Sequence, residues 1–216
     1  MSNLLLMDLP TEMLHRIFDE LDVYTIISSV RVVCRQLRDT VNSYNRFKLK
    51  FSSIEESRLK LVSRHIQPSN VISLDLAGGH NDKGCIRVFL QNFNINQFNR
   101  LRSLTIEQAN NIGFADLLSN VSTDLMFSLT INARILRPDT FSIILQLIIG
   151  TKLRKLNLNS FTYKPTIVSW PIQNTLEQLT IGGCSYDGYR LIVANSHGLR
   201  KLIIKNGLMS GVSEAV

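Results

Sequence analysis

Leucine and isoleucine recur through the second part of the chain in one short pattern, apolar-x-x-Leu-x-apolar. It occurs six times, in Val71–Leu76, Leu101–Ile106, Met126–Ile131, Leu153–Leu158, Leu176–Ile181 and Leu199–Ile204. The starts of consecutive segments are 30, 25, 27, 23 and 23 residues apart. Within each segment the last two apolar positions are two residues apart, which is the spacing of a strand that buries one face. The pattern therefore predicts six similar strands at a nearly regular interval.

Amphipathic stretches between these strands predict helices. They are Cys85–Phe93, Phe114–Val121, Asp139–Ile149 and Tyr186–Ala194. The third follows Pro138, a favourable residue for starting a helix. The interval between Leu158 and Leu176 contains Pro165 and Pro171 instead, so we expect irregular structure there. One strand–turn–helix unit cannot bury its apolar face alone, whereas stacked copies can.

Residues 71–204 resemble a leucine-rich-repeat array, in the variant with longer helical outer segments. One L-x-x-L-x-L match is weak, but six in a near-regular array are specific. The resemblance implies that residues 70–216 form a right-handed strand–helix solenoid of about six repeats, with a parallel sheet on the concave face. The Asn or Cys that usually follows the strand in this family is inconsistent here, so we expect turns that differ from the family's.

Alternate positions of the strands are polar and predict one outward face of the sheet, because successive side chains point to opposite sides. This face is small and polar, acidic at its start and basic at its end. Concave solenoid faces are the usual binding surface, and a solvated face without a partner is the alternative. The candidate target-binding residues are Asp75, Glu107, Asn132, Lys155, Asn157, Asn159, Gln178, Lys201 and Lys205.

The first 48 residues have a helical pattern instead. Pro10 suits the first position of a helix, and an apolar stripe at helical spacing follows it. The stripe consists of Met13, Leu14, Ile17, Phe18 and Leu21. Asp22 can cap a second helix from Val23 to about Val30, and a third helix is expected from about Val32 to Ser43. Three short helices give a small core, which at this size commonly relies on a partner.

Residues 8 to about 48 also resemble the F-box, whose pattern is L-P-x-E-h-L-x-x-I-F-x-x-L followed by V-C-R-x-W. The matching segments are Leu9–Leu14, Ile17-Phe18, Leu21-Asp22 and Val33–Arg35. Leu37 stands where the family often has Trp, and the second helical segment is one residue longer than in many members.

The F-box resemblance implies binding to the Skp-type adaptor of cullin–RING ubiquitin ligases. The residues that it assigns to adaptor binding are Leu9, Pro10, Ile17, Leu21, Val33 and Cys34. We expect Leu14 and Phe18 to fill the helical core instead. The fold class expected for the whole chain is α/β, with a three-helix F-box at residues 1–48 before the solenoid.

Residues 49–69 are expected to form a linking and capping helix. Ser53–Glu56 is a capping box, and Pro68 ends the helix. We expect this helix to shield the open edge of the first repeat and to hold the F-box in a fixed orientation. After Ile204 only twelve residues remain, so we expect the last strand to have an exposed edge.

The composition indicates a soluble intracellular protein, cytoplasmic or nuclear, with no membrane partner. The chain has 216 residues, of which 44% are hydrophobic and 19% charged, and a net charge of +7. Most of the basic excess lies in the last two thirds, but no Lys/Arg block occurs, so nucleic-acid binding is a minor alternative. Three cysteines far apart indicate a reducing compartment. The N-terminus lacks the basic region of a signal peptide.

No known catalytic pattern is recognisable, so we expect neither an enzyme nor a cofactor or metal. A RING ligase needs eight Cys or His ligands for its two zinc ions, and the chain has 3 Cys and 4 His. Gly79–Gly84 is similar to a phosphate-binding loop, but Cys85 and Ile86 stand where Lys and Ser/Thr would be needed. We expect a glycine-rich turn there.

These observations predict a non-catalytic substrate receptor of a Skp–cullin–F-box ubiquitin ligase. Its F-box would bind the adaptor, and its repeats would bind a protein target that the sequence does not identify. The main alternative is a leucine-rich-repeat scaffold with a degenerate F-box and no ubiquitin role.

Overall fold

The computed structural model describes residues 6–52, 56–77, 85–107, 114–132, 138–165, 169–172 and 175–209. Within them the fold is mixed α/β, with short helices at the N-terminal end followed by an open parallel sheet. The N-terminal helices are α1 (Thr11–Asp19), α2 (Val23–Thr25), α3 (Arg31–Val33) and α4 (Arg35–Ser43). The later helices are α5 (Glu56–His65), α6 (Cys85–Asn92), α7 (Phe114–Asn120), α8 (Pro138–Gly150) and α9 (Tyr186–Asn195).

The strands lie side by side in chain order, and every pairing between them is parallel. They are β1 (Phe47–Ser52), β2 (Val71–Ala77), β3 (Ser103–Glu107), β4 (Ser128–Asn132), β5 (Lys155–Tyr163), β6 (Gln178–Ser185), β7 (Lys201–Ile204) and β8 (Leu208–Met209). The first seven follow one another across the sheet, and β8 pairs with the far end of β6. The six strands that the sequence predicts are confirmed as β2 to β7.

The leucine of the repeated pattern forms one row across the sheet. The register aligns Leu74, Leu104, Leu129, Leu156, Leu179 and Leu202. All but the last of these side chains are buried. Burying a leucine fully stabilises the fold by about 1.5–3 kcal/mol, so this row contributes a large part of the core. Each occurrence of the sequence pattern thus adds one leucine to a continuous apolar row across the sheet.

From β2 onward, four of the described helices connect consecutive strands, and each buries apolar side chains. Helices α6, α7, α8 and α9 confirm the four amphipathic stretches of the sequence. Phe89, Leu117, Ile144 and Ile192 are fully buried within these four helices and belong to the same apolar core as the leucine row. The core therefore lies between the sheet and the helices, and the other side of the sheet remains available to solvent.

The connection from β5 to β6 differs from the other connections after β2. Its described residues contain neither helix nor strand, as its two prolines predict. Trp170 is buried there, with its ring edge-on to Tyr163 at 5.4 Å between centroids. Its indole N–H donates to Ser196 Oγ at 3.0 Å. A single large side chain therefore fills space that a helix fills in the other connections.

The segment that links the helical end to the repeats begins as a strand rather than as a helix. Phe47, Leu49 and Phe51 are buried and alternate with exposed Lys48 and Lys50, which is the period of a half-buried strand. This strand, β1, pairs with β2 from end to end. The expectation that a helix shields the edge of the first repeat is therefore wrong, because β1 lies on that edge.

The predicted helix does follow β1, as α5. Residues 53–55 of the capping box lie outside the described residues, and α5 begins at Glu56. Leu59, Val62 and Ile66 are buried in and just after this helix, which lies beside α6. The boundary expected between residues 48 and 49 falls inside β1. The subdivision at residues 69 and 70 stays a prediction.

The opposite edge of the sheet is open. Leu202 and Ile204 of β7 are only partly buried, whereas Leu179 and Ile181 beside them are buried. A turn with Gly207 at φ 75° leads from β7 into β8, which returns to β6. Within the described part of the chain no strand pairs with the outer edge of β7, in agreement with the expected exposed edge.

Two adjacent glycines in β6 differ in the space around them. The register of β5 and β6 shifts between Leu158 and Thr162, which brings the β5 backbone close to β6. A Cβ added at Gly182 would lie 2.8 Å from the carbonyl oxygen of Asn159, and 2.9 Å from that of Phe161. A Cβ at Gly183 would meet the Thr162 hydroxyl at 3.4 Å. Only the first position requires glycine on steric grounds.

We predict that Gly182→Ala lowers the free energy of unfolding by about 2 kcal/mol or more, because two backbone carbonyls must move. Gly183→Ala is the matched control and should change it by less than about 1 kcal/mol. Urea denaturation followed by circular dichroism measures both values. If both variants had the same midpoint of urea denaturation, this would contradict the close approach of the β5 backbone to Gly182.

Candidate functional site

The N-terminal helices pack around a small apolar core. Leu14 and Phe18 of α1 are buried, as the sequence predicts, together with Ile26 and Val41. Leu37, which stands where a tryptophan is often found in the resembling family, is buried as well. This position therefore contributes to the interior of the helical unit rather than to its surface.

The second helix begins at the capping residue that the sequence predicts. The Thr25 N–H donates to Asp22 Oδ1 at 2.9 Å. The hydrogen bond from the Thr25 side chain is the main reason that the pKa of Asp22 lies below its usual value, and burial opposes this effect. The cap thus fixes the turn between α1 and α2 through an ionised carboxylate.

A wide helical turn follows the cap. Ile26–Val30 is π-helical and joins α2 to α3 without a break. A π turn holds about one residue more than an α turn, because its hydrogen bonds span five residues instead of four. The additional residue that the sequence predicts for this segment is compatible with such a wide turn.

The third helix begins later than the sequence predicts. Cys34 has an extended backbone, with φ −156° and ψ 169°, and it separates α3 from α4. Its Sγ accepts a hydrogen bond from the Leu37 N–H at 3.5 Å and so caps α4. The expected start at Val32 is therefore wrong, and Val32 and Val33 lie in and at the end of α3. Both side chains are consequently directed to solvent, 61% and 69% exposed.

Large apolar side chains are exposed on the helical unit. They are Leu6, Met13, Ile17, Val32 and Val33. Two of the six residues assigned to adaptor binding, Ile17 and Val33, belong to this group, and Pro10 is exposed as well. Exposed apolar side chains of this size are candidates for contact with a partner where they form one patch.

The other three assigned residues, Leu9, Leu21 and Cys34, are partly buried against the core. Cys34 Sγ lies 3.9 Å from Met7 Sδ, and the Gln36 side-chain amide donates to the Met7 carbonyl at 3.0 Å. These contacts bring the segment that carries Leu9 next to the start of α4. The structure therefore unites Leu9 and Cys34 at one end of the helical unit.

Residues 6–49 match the family model of the F-box domain. The helical unit at residues 6–49 is therefore similar to an F-box domain, and we refer to it below as the F-box. No curated protein matches the chain. The match ends inside β1, so the F-box domain and the sheet share this strand.

A buried tyrosine joins the F-box to the sheet. Tyr44 is 1% exposed, and its ring packs edge-on against Phe18 of α1 and Phe47 of β1, at 5.6 and 4.8 Å between centroids. Its hydroxyl donates to Asp19 Oδ1 at 2.6 Å, and Arg46 pairs with the same carboxylate at 3.1 Å. Burial, and to a lesser degree the Asp19 carboxylate, raise the pKa of Tyr44 well above its usual value. The tyrosine is therefore a neutral hydrogen-bond donor at physiological pH.

A second contact lies on the other side of this joint. The Arg58 guanidinium of α5 lies 4.8 Å from the centre of the Tyr24 ring in α2. Helix α2 also contacts both β1 and α5. The F-box is thus attached to the first strand and to the first long helix of the repeat region, which fixes its orientation relative to the sheet.

The outward face of the sheet carries the other candidate residues. Glu107, Lys155, Gln178, Lys201 and Lys205 are exposed. Asp75, Asn132, Asn157 and Asn159 are half-buried. The register places Asn157 in one row with Thr130 and Thr180, so the polar positions align across neighbouring strands as the alternation predicts.

This face does not begin with acidic residues, in contrast to the expectation from the sequence. Lys48 and Lys50 of β1 pair with Ser73 and Asp75, so two lysines precede the acidic positions. The sequence analysis misses them because it assigns Lys48 to the F-box and Lys50 to the linking helix, although the alternation from Phe47 to Phe51 is a signal for a strand. Burial raises the pKa of Asp75, while Lys50 opposes this and Glu107 adds to it.

Among the described residues, three oxygens of this face have no hydrogen-bond donor. They are Asp75 Oδ1, Asn157 Oδ1 and Asn159 Oδ1, and all three are shielded from solvent. Such groups are rare in folded proteins and costly when unpaired, by about 1–3 kcal/mol each. The polar positions of the face are therefore not all available to a ligand at the surface.

The described residues contain no cluster of three or more His, Cys, Asp or Glu side chains that could hold a metal ion. None of the described helices is long and apolar enough to cross a membrane. The Gly79–Gly84 segment lies outside the described residues. His15 has a structural position, with its Nε2 3.3 Å from both the Thr40 carbonyl and Ser43 Oγ.

We predict that Tyr44→Phe lowers the free energy of unfolding by about 1.5–3 kcal/mol, because a buried hydrogen bond to a charged group is lost. Tyr186→Phe is the control, since Tyr186 is an exposed residue of α9, and it should change this free energy by less than about 0.5 kcal/mol. Urea denaturation measures both. A Tyr44→Phe variant as stable as the wild type would contradict the proposed role of the hydroxyl in the joint.

Proposed function

We propose that the protein is the substrate-recognition subunit of a Skp–cullin–F-box ubiquitin ligase. The F-box at residues 6–49 is the observation that carries this proposal, because F-box domains bind Skp-type adaptors within cullin–RING ligases. The protein has no catalytic role of its own and uses no cofactor. It works inside the cell, in the cytoplasm, the nucleus or both, where the ligase components are found.

The proposed adaptor contact runs along the F-box, from Leu9 and Pro10 before α1 to Leu21 after it. Leu9, Pro10, Ile17, Leu21, Val33 and Cys34 form the proposed contact. Burying apolar surface against a partner contributes about 25 cal/mol per Å², so the exposed Ile17 and Val33 side chains are favourable anchors. The replacement of a family tryptophan by Leu37 lies in the core and removes none of this exposed surface.

The remaining part of the chain acts as a leucine-rich-repeat solenoid of about six repeats that binds a protein target. Parallel strands in chain order, joined mostly by helices, support this assignment. The outward polar face is the proposed target site, with Asp75, Glu107, Asn132, Lys155, Asn157, Asn159, Gln178, Lys201 and Lys205 as its contact residues.

The attachment of the F-box to the sheet gives this arrangement its mechanism. A target held on the sheet is kept at a fixed position relative to the ligase, which raises the effective concentration of its lysines near the ubiquitin donor. The contribution of the protein is therefore positioning rather than proton transfer or nucleophilic attack. The contacts of Tyr44 hold the F-box in one orientation relative to the sheet, so that both proposed binding surfaces belong to one rigid receptor.

We predict that Val33→Asp weakens binding of the Skp-type adaptor by at least about tenfold, because a charge would be buried in an apolar contact. Val193→Asp is the matched control, since Val193 is also an exposed helical valine but lies on α9. Isothermal titration calorimetry of the purified full chain with the adaptor measures the affinities. The control should bind as tightly as the wild type.

The same titration separates the two functional hypotheses. A folded wild-type chain that does not bind the adaptor would favour the alternative, a repeat scaffold with a degenerate F-box and no ubiquitin role. Adaptor binding that Val33→Asp leaves unchanged would instead show that the contact residues are assigned wrongly.

A further inference from the structure

The part of the outward face on β5 to β7, together with its amino-terminal edge, is strongly basic. We call it the basic corner and define it by Arg154, Lys155, Arg200, Lys201 and Lys205. All five side chains are exposed. We propose that the basic corner binds an extended acidic peptide segment of a protein, through several Asp or Glu carboxylates. This proposal rests on the proposed function in one respect, namely that such a peptide belongs to the target.

The register of the strands fixes the spacing of the cations. Lys155, Gln178 and Lys201 lie in one row across β5, β6 and β7. Arg154 and Arg200 flank the same strands one residue earlier, joined through Glu177 by backbone hydrogen bonds of 2.9 and 2.8 Å. Neighbouring strands are about 4.8 Å apart. The backbones of Lys155 and Lys201, which are two strands apart, are therefore separated by about 10 Å across the sheet, and so are those of Arg154 and Arg200.

The cations of the corner outnumber its acids. Glu177 is the acidic residue that lies among them, and it pairs with Arg154 at 3.0 Å. Within the described ranges no ion pair involves Lys155, Arg200, Lys201 or Lys205. Exposed cations that pair with no carboxylate of the described residues attract an anionic chain and orient it before contact.

An aromatic ring borders the corner. Phe127 is 38% exposed, and Lys155 Nζ lies 5.3 Å and Arg154 Cζ 5.9 Å from its centre. These cation–π contacts hold both basic side chains near the edge of the corner. The ring also offers an apolar surface to a peptide that runs across the strands, which electrostatic attraction alone would not supply.

Amide side chains next to the cations favour a peptide as the occupant. Asn157 follows Lys155 on the same face of β5 and is half-buried, and Gln178 lies beside Lys155 on β6 and is exposed. A peptide backbone carries N–H and C=O groups at regular intervals and can hydrogen-bond such amides while its carboxylates reach the lysines. A free anion satisfies the cations but offers no such series of donors and acceptors.

The distribution of charge also argues against two other occupants. A single phosphate group is bound by cations that converge on one point, whereas the two pairs Arg154–Lys155 and Arg200–Lys201 lie about 10 Å apart, at β5 and β7. A nucleic acid would place phosphates along the whole face. Asp75 on β2 and Glu107 on β3 would repel them there. Carboxylates spaced along one extended chain match the arrangement better.

The test measures binding of a fluorescent peptide of alternating Glu and Gly, about ten residues long, to the purified full chain by fluorescence anisotropy. We expect binding that weakens as salt is raised, because the contacts are exposed. The peptide with Gln in place of Glu should not bind. Lys155→Glu combined with Lys201→Glu should weaken binding of the Glu peptide by about tenfold or more.

The control for this variant is Arg87→Glu combined with Arg190→Glu. Both arginines are exposed, on α6 and α9, and their reversal changes the net charge by the same amount. It should leave peptide affinity within about twofold of the wild type. Equal weakening by both double variants, or no binding of the Glu peptide, would overturn the proposal.

Two further readouts complete the experiment. A single-stranded oligonucleotide of equal charge that binds the corner more tightly than the peptide would overturn the proposal in favour of nucleic acid. The adaptor titration on the same lysine variant distinguishes this inference from the proposed function. Lost peptide binding with normal adaptor binding locates the effect in the corner, whereas peptide binding without any adaptor binding would overturn the ligase role alone.

Discussion

The hydrogen bond between Tyr44 and Asp19 is the interaction on which the architecture depends. Without it the Tyr44 ring would still pack against Phe18 and Phe47, but ring packing is favourable in several orientations. The Tyr44 hydroxyl donates to the Asp19 carboxylate, which also pairs with Arg46, and this hydrogen bond restricts the orientation of the ring. The same ring contacts Phe18 and Phe47, so α1 and β1 are held by one residue. The joint therefore orients the F-box helices relative to the first strand of the sheet.

The repeat region was predictable because one physical requirement repeats in it. Each strand must bury one face, and the leucine row from Leu74 to Leu202 is the direct result. The strand β1 was missed for the opposite reason, since Phe47–Phe51 alternates but lacks the repeated leucine pattern. Cys34 gave no signal of a helix start, because helix caps are usually Ser, Thr, Asp or Asn. The exposure of Val33 could not be predicted without that break.

The candidate sites differ in how far the sequence determines them. The polar positions of the sheet follow from alternation, so their shared face could be predicted residue by residue. Their charge pattern could not, because Lys48 and Lys50 join the face only through the pairing of β1 with β2. The three unpaired oxygens depend on the exact approach of neighbouring strands, which no sequence pattern encodes. The alternation along each strand thus determines which side of the sheet a side chain faces, whereas the pairing of the strands determines the charge of that side.

The strand shared by the F-box and the sheet has a thermodynamic consequence. Because β1 belongs to both, unfolding of the F-box removes the edge strand from β2, and the two regions form one cooperative unit. A ligand that binds only the folded F-box then stabilises the sheet as well, by about 2.7 kcal/mol at a free concentration one hundred times its Kd. A ligand bound to the F-box therefore also makes local unfolding of the first strands of the sheet less frequent.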